Sequence, residues 1–276
     1  MWKENDLDAL LRIAISAGKE ILSVYERAGD IEVEIKDDSS PLTEADRRAN
    51  ELIVEELQQF SPSIPILSEE SEKMAAAERM GWSRYWIVDP LDGTKEFIKR
   101  NGEFTVNIAL ISNGTPELGI VHVPVTGTNY LGKLGKGAWK IGISGEFNEI
   151  STTKFKTGSG PVRVVASRSH RGELADKLIS TMAAELGDCE VVSMGSSLKI
   201  CLLAEGKADV YPRLAPTSEW DTAAAHAVLN AAGGEIYDTG FEILRYNQKE
   251  SLLNPHFIAV ADPKFNWSSL LTPVLR

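Results

Sequence analysis

The chain has 276 residues, 43% of them hydrophobic and 25% charged, a balance that excludes a disordered or fibrous protein. Its net charge of −11 argues against a broad nucleic-acid groove, which needs clustered lysine and arginine. No apolar run is long enough to cross a bilayer and the N-terminus is charged, so we expect a soluble, cytoplasmic protein without a transmembrane segment. Cys189 and Cys201 lack metal-binding spacing and are expected to be buried free thiols.

The N-terminal part of the chain predicts two helices and a short strand. Apolar side chains recur at helical spacing over residues 5–28, and Gly29 is a suitable C-cap. Thr43-Glu44-Ala45-Asp46 resembles a capping box at the start of a second helix, which ends before Pro62. The short strand Ile64 to Leu67 runs into Ser68-Glu69-Glu70, which places two carboxylates at a strand end.

An apolar strand from Tyr85 to Val88 leads into the turn Asp89-Pro90-Leu91-Asp92-Gly93-Thr94. We expect Pro90 to stop the strand ladder and Gly93 to allow a tight bend, so that two carboxylates and a hydroxyl converge. Carboxylate and carbonyl oxygens suit a hard cation such as magnesium. The same residues are also ordinary turn formers, so the turn alone does not decide between the two interpretations.

The rest of the chain divides into a strand-rich part and an alternating part. Strands over 104–111, 118–123 and 129–131 predict an antiparallel meander. The Thr/Gly/Ser-rich stretch from Ser151 to Gly160 is the best boundary, giving an α+β lobe over 1–155 and an α/β lobe over 156–276. In the second lobe we predict strands and helices that alternate, over 162–166, 173–186, 190–193, 197–205, 208–211, 221–232 and 235–237.

Two further segments leave alternatives open. Asp221 follows Trp220 at the predicted start of a helix that ends at Gly233, where it could act as an N-cap, as a metal ligand, or as both. The charged, alanine-rich segment 71–84 could be a mobile flap or a surface helix. The residues after Asp262 carry no clear pattern.

Taken together, the segments with the most distinctive residues resemble the inositol monophosphatase superfamily of magnesium-dependent, lithium-inhibited phosphatases. They are Thr43 to Asp46, Leu67 to Glu70, Trp86 to Thr94, Trp220 to Ala224 and Ala232 to Gly234. Within the superfamily the chain is most similar to the CysQ-type 3'(2'),5'-bisphosphate nucleotidases, through the segments 92–107, 167–170, 195–199 and 210–213. The resemblance implies an α+β fold, the layered αβαβα sandwich of the inositol monophosphatase and fructose bisphosphatase type.

The resemblance also implies two or three magnesium ions and a set of ligands. Glu69, Asp89 and the Leu91 carbonyl would bind the first ion, and Asp89, Asp92 and Asp221 the second, while Glu69 would reach a third through water. Asp46 and Thr94 would orient or deprotonate the attacking water. The catalytic set is therefore Asp46, Glu69 and Thr94.

Substrate binding is implied mainly for the second lobe. Gly195, Ser196 and Ser197 precede a helix and would cradle a phosphate that is not cleaved, with further contacts from Gly93, Thr94, Arg168, Ser169, His170, Lys199 and Arg213. Each of these residues alone has an ordinary alternative, because serines at helix starts are usually caps and surface cations are usually solvated. His122, His226 and His256 show no ligand spacing.

The resulting functional hypothesis is hydrolysis of the 3'-phosphate of 3'-phosphoadenosine 5'-phosphate to AMP and phosphate, linked to sulfur assimilation. The partner is then a small nucleotide bisphosphate and not a nucleic-acid polymer, and the oligomeric state is not predicted. The alternatives are an inositol 1-phosphate phosphatase with the same metal chemistry and a non-catalytic magnesium- and nucleotide-binding regulator. An aspartyl-phosphate mechanism is excluded because Pro90 stands where its nucleophilic aspartate would be.

Overall fold

The computed structural model describes residues 4–27, 32–36, 41–72, 74–166 and 172–275. The helices in these ranges are α1 (Glu4–Tyr25), α2 (Glu44–Phe60), α3 (Ala76–Arg79), α4 (Thr94–Ile98), α5 (Glu173–Leu186), α6 (Leu198–Ala204), α7 (Glu219–Ala232) and α8 (Trp267–Leu275). The strands are β1 (Val33–Ile35), β2 (Pro41–Thr43), β3 (Ile66–Ser68), β4 (Arg84–Asp92), β5 (Thr105–Ser112), β6 (Thr115–Val123), β7 (Thr128–Lys133), β8 (Gly137–Ile141), β9 (Phe147–Ile150), β10 (Val162–Val165), β11 (Cys189–Val192), β12 (Val210–Arg213), β13 (Glu235–Asp238) and β14 (Phe257–Val260).

Two large sheets organise the described residues. The seven-stranded sheet has the order β3-β4-β5-β6-β7-β8-β9, with β3 parallel to β4 and every later neighbour antiparallel. The predicted meander is therefore confirmed and continues for two more strands. The five-stranded sheet has the order β11-β10-β12-β14-β13, with β10 parallel to both of its neighbours. β1 and β2 form a separate hairpin.

The hydrophobic core is arranged in layers. Successive residues of β4 point to opposite faces of the large sheet: Trp86 and Val88 pack with α1 and α2, whereas Tyr85 and Ile87 pack with α6 and α7. The small sheet lies on the far side of α6 and α7, and α5 and α8 cover its outer face. The expected αβαβα sandwich is thus confirmed.

Glycines allow helix α7 to approach the large sheet closely. A Cβ on Gly119 would lie 2.1 Å from the Ala224 carbonyl oxygen, and one on Gly132 would lie 2.3 Å from the Val228 Cα. The small residues of α7, Ala223 to Ala225, are buried in the same contact. This packing fixes the N-terminal turn of α7, and with it Asp221, against the strands.

Several predictions of local structure were wrong in detail. β4 continues through Pro90 to Asp92, because a shift of register lets Asp89 pair with Asn107 and Asp92 pair with Thr105. Helix α7 begins at Glu219, two residues before the predicted start. Strand β14 and helix α8 lie in and around segments that were not assigned from the sequence. The proposed Gly29 cap lies outside the described residues.

Other predictions have mixed outcomes. The segment 71–84 contains the short helix α3, whose Arg79 is 2% exposed and donates to the Asn247 side chain at 2.5 Å. Both cysteines are unpaired, but only Cys201 is buried. The chain changes sheets between Ile150 and Val162, yet one core cluster joins both sheets, so the boundary at residue 155 stays a prediction. Among the described helices none combines the length and apolar character that a membrane crossing requires.

Candidate metal centre and active site

Three carboxylates from different elements meet at one end of the large sheet. Glu69 follows β3, Asp89 lies in β4 and Asp221 lies in the first turn of α7. Ligand oxygens of these three side chains all lie within 4.8 Å of one another. The parallel pairing of β3 with β4 places Glu69 beside this end of β4, because the Glu69 N–H donates to the Val88 carbonyl at 3.1 Å.

The irregular end of β4 presents further oxygens. The Leu91 N–H donates to Asp89 Oδ1 at 3.0 Å, which holds one oxygen of that carboxylate and leaves Oδ2. Thr94 Oγ1 lies 3.3 Å from the Leu91 carbonyl oxygen and 3.3 Å from Asp46 Oδ1. Gly93, with φ of 92°, makes the turn between them possible. The structure therefore brings Asp46, Leu91 and Thr94 together with Asp89.

Asp46 and Asp221 occupy equivalent positions in two helices. Each is the third residue of its helix and completes a capping box, with Thr43 as the N-cap of α2 and Ser218 as the N-cap of α7. The N-cap backbone N–H donates to Oδ2 in both cases, at 2.8 Å for Asp46 and 2.9 Å for Asp221. Each carboxylate thus stabilises the start of its helix through Oδ2, which leaves its Oδ1 for another partner.

Asp92 is held by the turn that precedes α6. Ser196 Oγ and the Ser197 N–H each donate to Asp92 Oδ2 at 2.6 Å, and the Asn107 amide lies 3.5 Å from the same oxygen. The sequence suggested that Ser196 and Ser197 donate to a phosphate, whereas here both donate to a carboxylate. Gly195 permits this close approach, since a Cβ there would lie 2.8 Å from the Glu103 carbonyl oxygen. A phosphate contact by residues 195–197 stays a prediction.

Asp89 is buried, Glu69 and Asp221 are half-buried, and this burial raises the pKa of all three carboxyl groups. Burial raises the pKa of Asp46 to about 6 and that of Glu69 to about 7. Burial and the neighbouring negative charges raise the pKa of Asp89 and of Asp221 well above the usual range. Lys36 offsets part of this charge, because its Nζ lies 2.8 Å from Glu69 Oε1 and 2.6 Å from Glu70 Oε1.

These donors fit a divalent metal. The set consists of buried and half-buried carboxylate oxygens that repel one another when ionised, and oxygen ligands are those that hard cations such as magnesium prefer. An adjoining cavity of about 610 Å³ is lined by Lys36, Glu69, Glu70, Trp220 and Leu252, among others. The cluster is therefore reachable by a ligand.

Two cationic side chains, Lys199 of α6 and Arg213 of β12, lie near the cluster. Burial lowers the pKa of Lys199, whose Nζ lies 3.2 Å from the Ser196 carbonyl oxygen, and the Arg213 charge lowers it further. Arg213 Nη2 donates to the Pro216 carbonyl at 3.1 Å, while its Nε is buried without a hydrogen-bond partner in the described part of the chain. Such a donor suits a bound anion. Arg168, Ser169 and His170 lie outside the described residues.

Sequence reasoning missed three residues that support the site, namely Lys36, Thr105 and Asn107. Thr105 and Asn107 gave a usable signal, because they are polar residues at alternate positions of an otherwise apolar strand. Both lie opposite aspartates of β4, because Thr105 pairs with Asp92 and Asn107 pairs with Asp89. Lys36 directly follows the short strand β1, where an isolated lysine gives no such signal.

We expect the stabilisation that magnesium gives to grow as the pH rises from about 5 to about 8. A raised carboxyl pKa stabilises the metal-free fold at low pH and loses that contribution as the pH rises through the folded pKa, here about 6 for Asp46 and about 7 for Glu69. A divalent metal such as magnesium would bind the ionised groups, so the stability that it restores would be larger at high pH. Thermal unfolding with magnesium or with a chelator measures the difference, and an equal or smaller rise at high pH would contradict it.

Comparison with known proteins gives a consistent result. A model of the inositol monophosphatase family matches residues 2–268. The chain is 47% identical over 251 residues to the 3'(2'),5'-bisphosphate nucleotidase CysQ of Salmonella typhimurium, covering 91% of this chain and 98% of that protein. It is 38% identical over 270 residues to the nucleotidase of the same name from Haemophilus influenzae, covering 97% of each chain.

Solved structures agree with these matches. The crystal structure of CysQ from Bacteroides thetaiotaomicron, described as a bacterial member of the inositol monophosphatase family, superposes with a TM-score of 0.83 at 46% identity. The match covers 95% of this chain and 99% of that one. An inositol monophosphatase from Zymomonas mobilis superposes with a TM-score of 0.73 at 25% identity, covering 99% of this chain and 96% of that one.

Proposed function

This chain belongs to the inositol monophosphatase family, and we propose that it is a magnesium-dependent 3'(2'),5'-bisphosphate nucleotidase that hydrolyses the 3'-phosphate of 3'-phosphoadenosine 5'-phosphate. The observation that carries this proposal is the 47% identity to nucleotidases of that name over nine-tenths of the chain. The carboxylate cluster supports it, because the enzymes of this family depend on metal ions and the chain has a cluster able to hold them.

Magnesium is the proposed ion because the available ligands are oxygens. Glu69, Asp89 and the Leu91 carbonyl would hold one ion, and Asp89, Asp92 and Asp221 a second, while Glu69 would reach a third through water. Bound magnesium would make a nearby water more acidic and would offset the negative charge of the phosphate. Asp89 lies at the centre of the cluster. Its Oδ1 accepts a hydrogen bond from the Leu91 N–H, and its Oδ2 would bind the metal.

Asp46 and Thr94 are the proposed pair that positions the attacking water. Thr94 Oγ1 lies within hydrogen-bond distance of Asp46 Oδ1. When the Thr94 hydroxyl donates to this carboxylate, the lone pairs of Oγ1 can accept a hydrogen bond from a water. Thr43 holds the other Asp46 oxygen through its backbone N–H and, at 2.5 Å, its hydroxyl. Water is the nucleophile in this scheme, and no covalent protein intermediate is required.

The second lobe supplies the proposed recognition of the remaining phosphate. Arg213 and Lys199 would supply the positive charge that attracts this phosphate. The N–H of the buried Arg213 Nε, which has no hydrogen-bond partner in the described part of the chain, could donate to it. Further proposed substrate contacts are Gly93, Thr94, Ser169, His170, Gly195, Ser196 and Ser197. We further propose a cytoplasmic location, which the two unpaired cysteines favour, and lithium inhibition and a role linked to sulfur assimilation.

Replacing Arg213 with alanine should weaken use of the nucleotide bisphosphate by about 10- to 100-fold in kcat/KM, the effect of losing one charge-assisted hydrogen bond to an anion. Use of inositol 1-phosphate, which has no second phosphate, should fall much less. Steady-state kinetics on both substrates measure the difference, with Arg213→Lys as the control that keeps the charge. Equal losses on both substrates would remove Arg213 from phosphate recognition.

The proposed function is tested by phosphate release from 3'-phosphoadenosine 5'-phosphate and from inositol 1-phosphate, assayed side by side. Each assay contains magnesium, magnesium with lithium, or a chelator. Preference for the nucleotide, loss with the chelator and inhibition by lithium are the expected results. Preference for inositol 1-phosphate would keep the metal centre and overturn the choice of substrate, and no metal-dependent turnover of either would overturn the proposal itself.

A further inference from the structure

Thr105 lies opposite Asp92 in the large sheet and is not one of the proposed metal ligands. It is the first residue of β5 and is fully buried. Its Oγ1 lies 2.6 Å from Ser196 Oγ, 2.9 Å from Ser197 Oγ and 3.2 Å from Asn107 Oδ1. One hydroxyl of the large sheet therefore contacts both serines of the turn that precedes α6.

The number of protons sets the direction of these hydrogen bonds. A carboxylate only accepts, so Ser196 must give its single hydroxyl proton to Asp92 Oδ2, at 2.6 Å. Ser196 Oγ is then an acceptor toward Thr105, and the shortest contact of Thr105 is the one to Ser196. Ser197 completes the set by donating to Asn107 Oδ1, at 2.9 Å, or to Thr105 Oγ1. The result is a directed chain from Thr105 through Ser196 to Asp92.

This chain determines which oxygen of Asp92 is free. Oδ2 accepts from Ser196 Oγ and from the Ser197 N–H, both at 2.6 Å, and lies 3.5 Å from the Asn107 amide. Oδ1 is the oxygen that remains for another partner. Hydrogen bonds in such a buried chain strengthen one another, so the outermost hydroxyl helps to hold the carboxylate in one orientation.

We propose that Thr105 is a positioning residue of the metal centre, acting through Ser196 and Ser197 to direct Asp92 Oδ1 at a bound magnesium ion. The proposal rests on the proposed function, because it takes Asp92 as a metal ligand. In this proposal the turn 195–197 orients the Asp92 carboxylate, in addition to any contact that it makes with substrate. Partners that orient metal ligands influence affinity strongly, although they touch no metal themselves.

The test compares three variants with the wild type. Thr105→Val keeps the shape of the side chain and removes the hydroxyl, and Thr105→Ser keeps the hydroxyl. Val106→Ala is the matched control, because Val106 is also fully buried in β5 but belongs to the core on the other face of the sheet. The principal readout is the magnesium concentration that gives half of the maximal rise in Tm, measured without substrate. The magnesium dependence of turnover is the second readout.

Thr105→Val should raise the half-saturating magnesium concentration about tenfold, and most of its turnover should return at saturating magnesium. Thr105→Ser should restore values near the wild type, and Val106→Ala should lower Tm without changing the half-saturating concentration. A Thr105→Val value equal to the wild type, or equal shifts in Thr105→Val and Val106→Ala, would overturn the proposal.

Ser196→Ala provides a second route should Thr105→Val fail to fold. It removes the hydroxyl through which Thr105 acts and should raise the half-saturating magnesium concentration in the same direction, whereas an unchanged value would overturn the proposal. In a double variant the two effects should not add, because both interrupt one chain. A wild type whose Tm does not respond to magnesium would instead refute the metal centre, so the two failures are distinguishable.

Discussion

Replacing Asp89 with asparagine is expected to lower kcat/KM by at least about 10³-fold, equivalent to about 4 kcal/mol of lost transition-state stabilisation. Asp89 is 1% exposed and lies among other carboxylates, and its pKa is raised by burial first and by their negative charges second. Asparagine has the same shape and can still accept the Leu91 N–H. It cannot supply the charge that two metal ions would share.

The same variant should be more stable than the wild type when metal is removed. Neutralising one carboxylate relieves the repulsion in the cluster, and each kcal/mol gained should raise Tm by about 2 to 4 °C. Addition of magnesium should then raise Tm little or not at all. Steady-state kinetics and thermal unfolding with magnesium or a chelator measure both effects.

Asp209→Asn is the matched control for this experiment. Asp209 is equally buried, but it is paired with Arg163, whose Nη2 lies 2.6 Å from Asp209 Oδ1. Loss of this ion pair should lower Tm with or without magnesium and leave most of the turnover. A wild-type rate in Asp89→Asn, or a lower Tm without metal, would contradict the role assigned to Asp89.

Replacing Thr94 with valine should lower kcat by about 10² to 10⁴-fold, the usual contribution of a group that positions or receives a proton in the reaction. The Thr94 hydroxyl lies between two acceptors, at 3.3 Å from Asp46 Oδ1 and at 3.3 Å from the Leu91 carbonyl oxygen. Valine has the same shape and cannot make either hydrogen bond.

The magnesium response separates this effect from damage to the metal centre. Thr94 is not among the proposed metal ligands, so the rise of Tm with magnesium should survive in Thr94→Val while turnover is lost. Thr94→Ser, which keeps the hydroxyl, should keep most of the rate. Near-normal turnover in Thr94→Val would show that Thr94 does not act on the water.

The main elements could be predicted because their patterns are local. The helical spacing of α2, its capping box and the apolar strand before Asp89 each follow from a few neighbouring residues. The layered fold came from resemblance, and the structural comparisons confirm it. Helix α8 was not predicted, because Pro273 lies within it and the segment is short.

The details of the site depend on long-range contacts that local patterns do not contain. Pro90 was expected to end a strand, but pairing with β5 resumes at Asp92 on the other side of the bulge. Asp221 was considered as an N-cap, but Ser218 caps α7 and Asp221 completes the box from within the helix. The hydrogen bonds from Ser196 and Ser197 to Asp92 join residues more than a hundred positions apart, beyond the reach of any local pattern.

The most direct test of the proposed function is to identify the nucleotide that wild-type protein makes from 3'-phosphoadenosine 5'-phosphate with magnesium. We predict AMP and one phosphate per substrate consumed, because the proposed metal-binding carboxylates would act on the 3'-phosphate while Lys199 and Arg213 would hold the other. Chromatography against authentic 5'- and 3'-phosphate standards separates the possible products. Release of the 5'-phosphate, leaving 3'-AMP, or an absence of nucleotide turnover beside hydrolysis of inositol 1-phosphate, would contradict it.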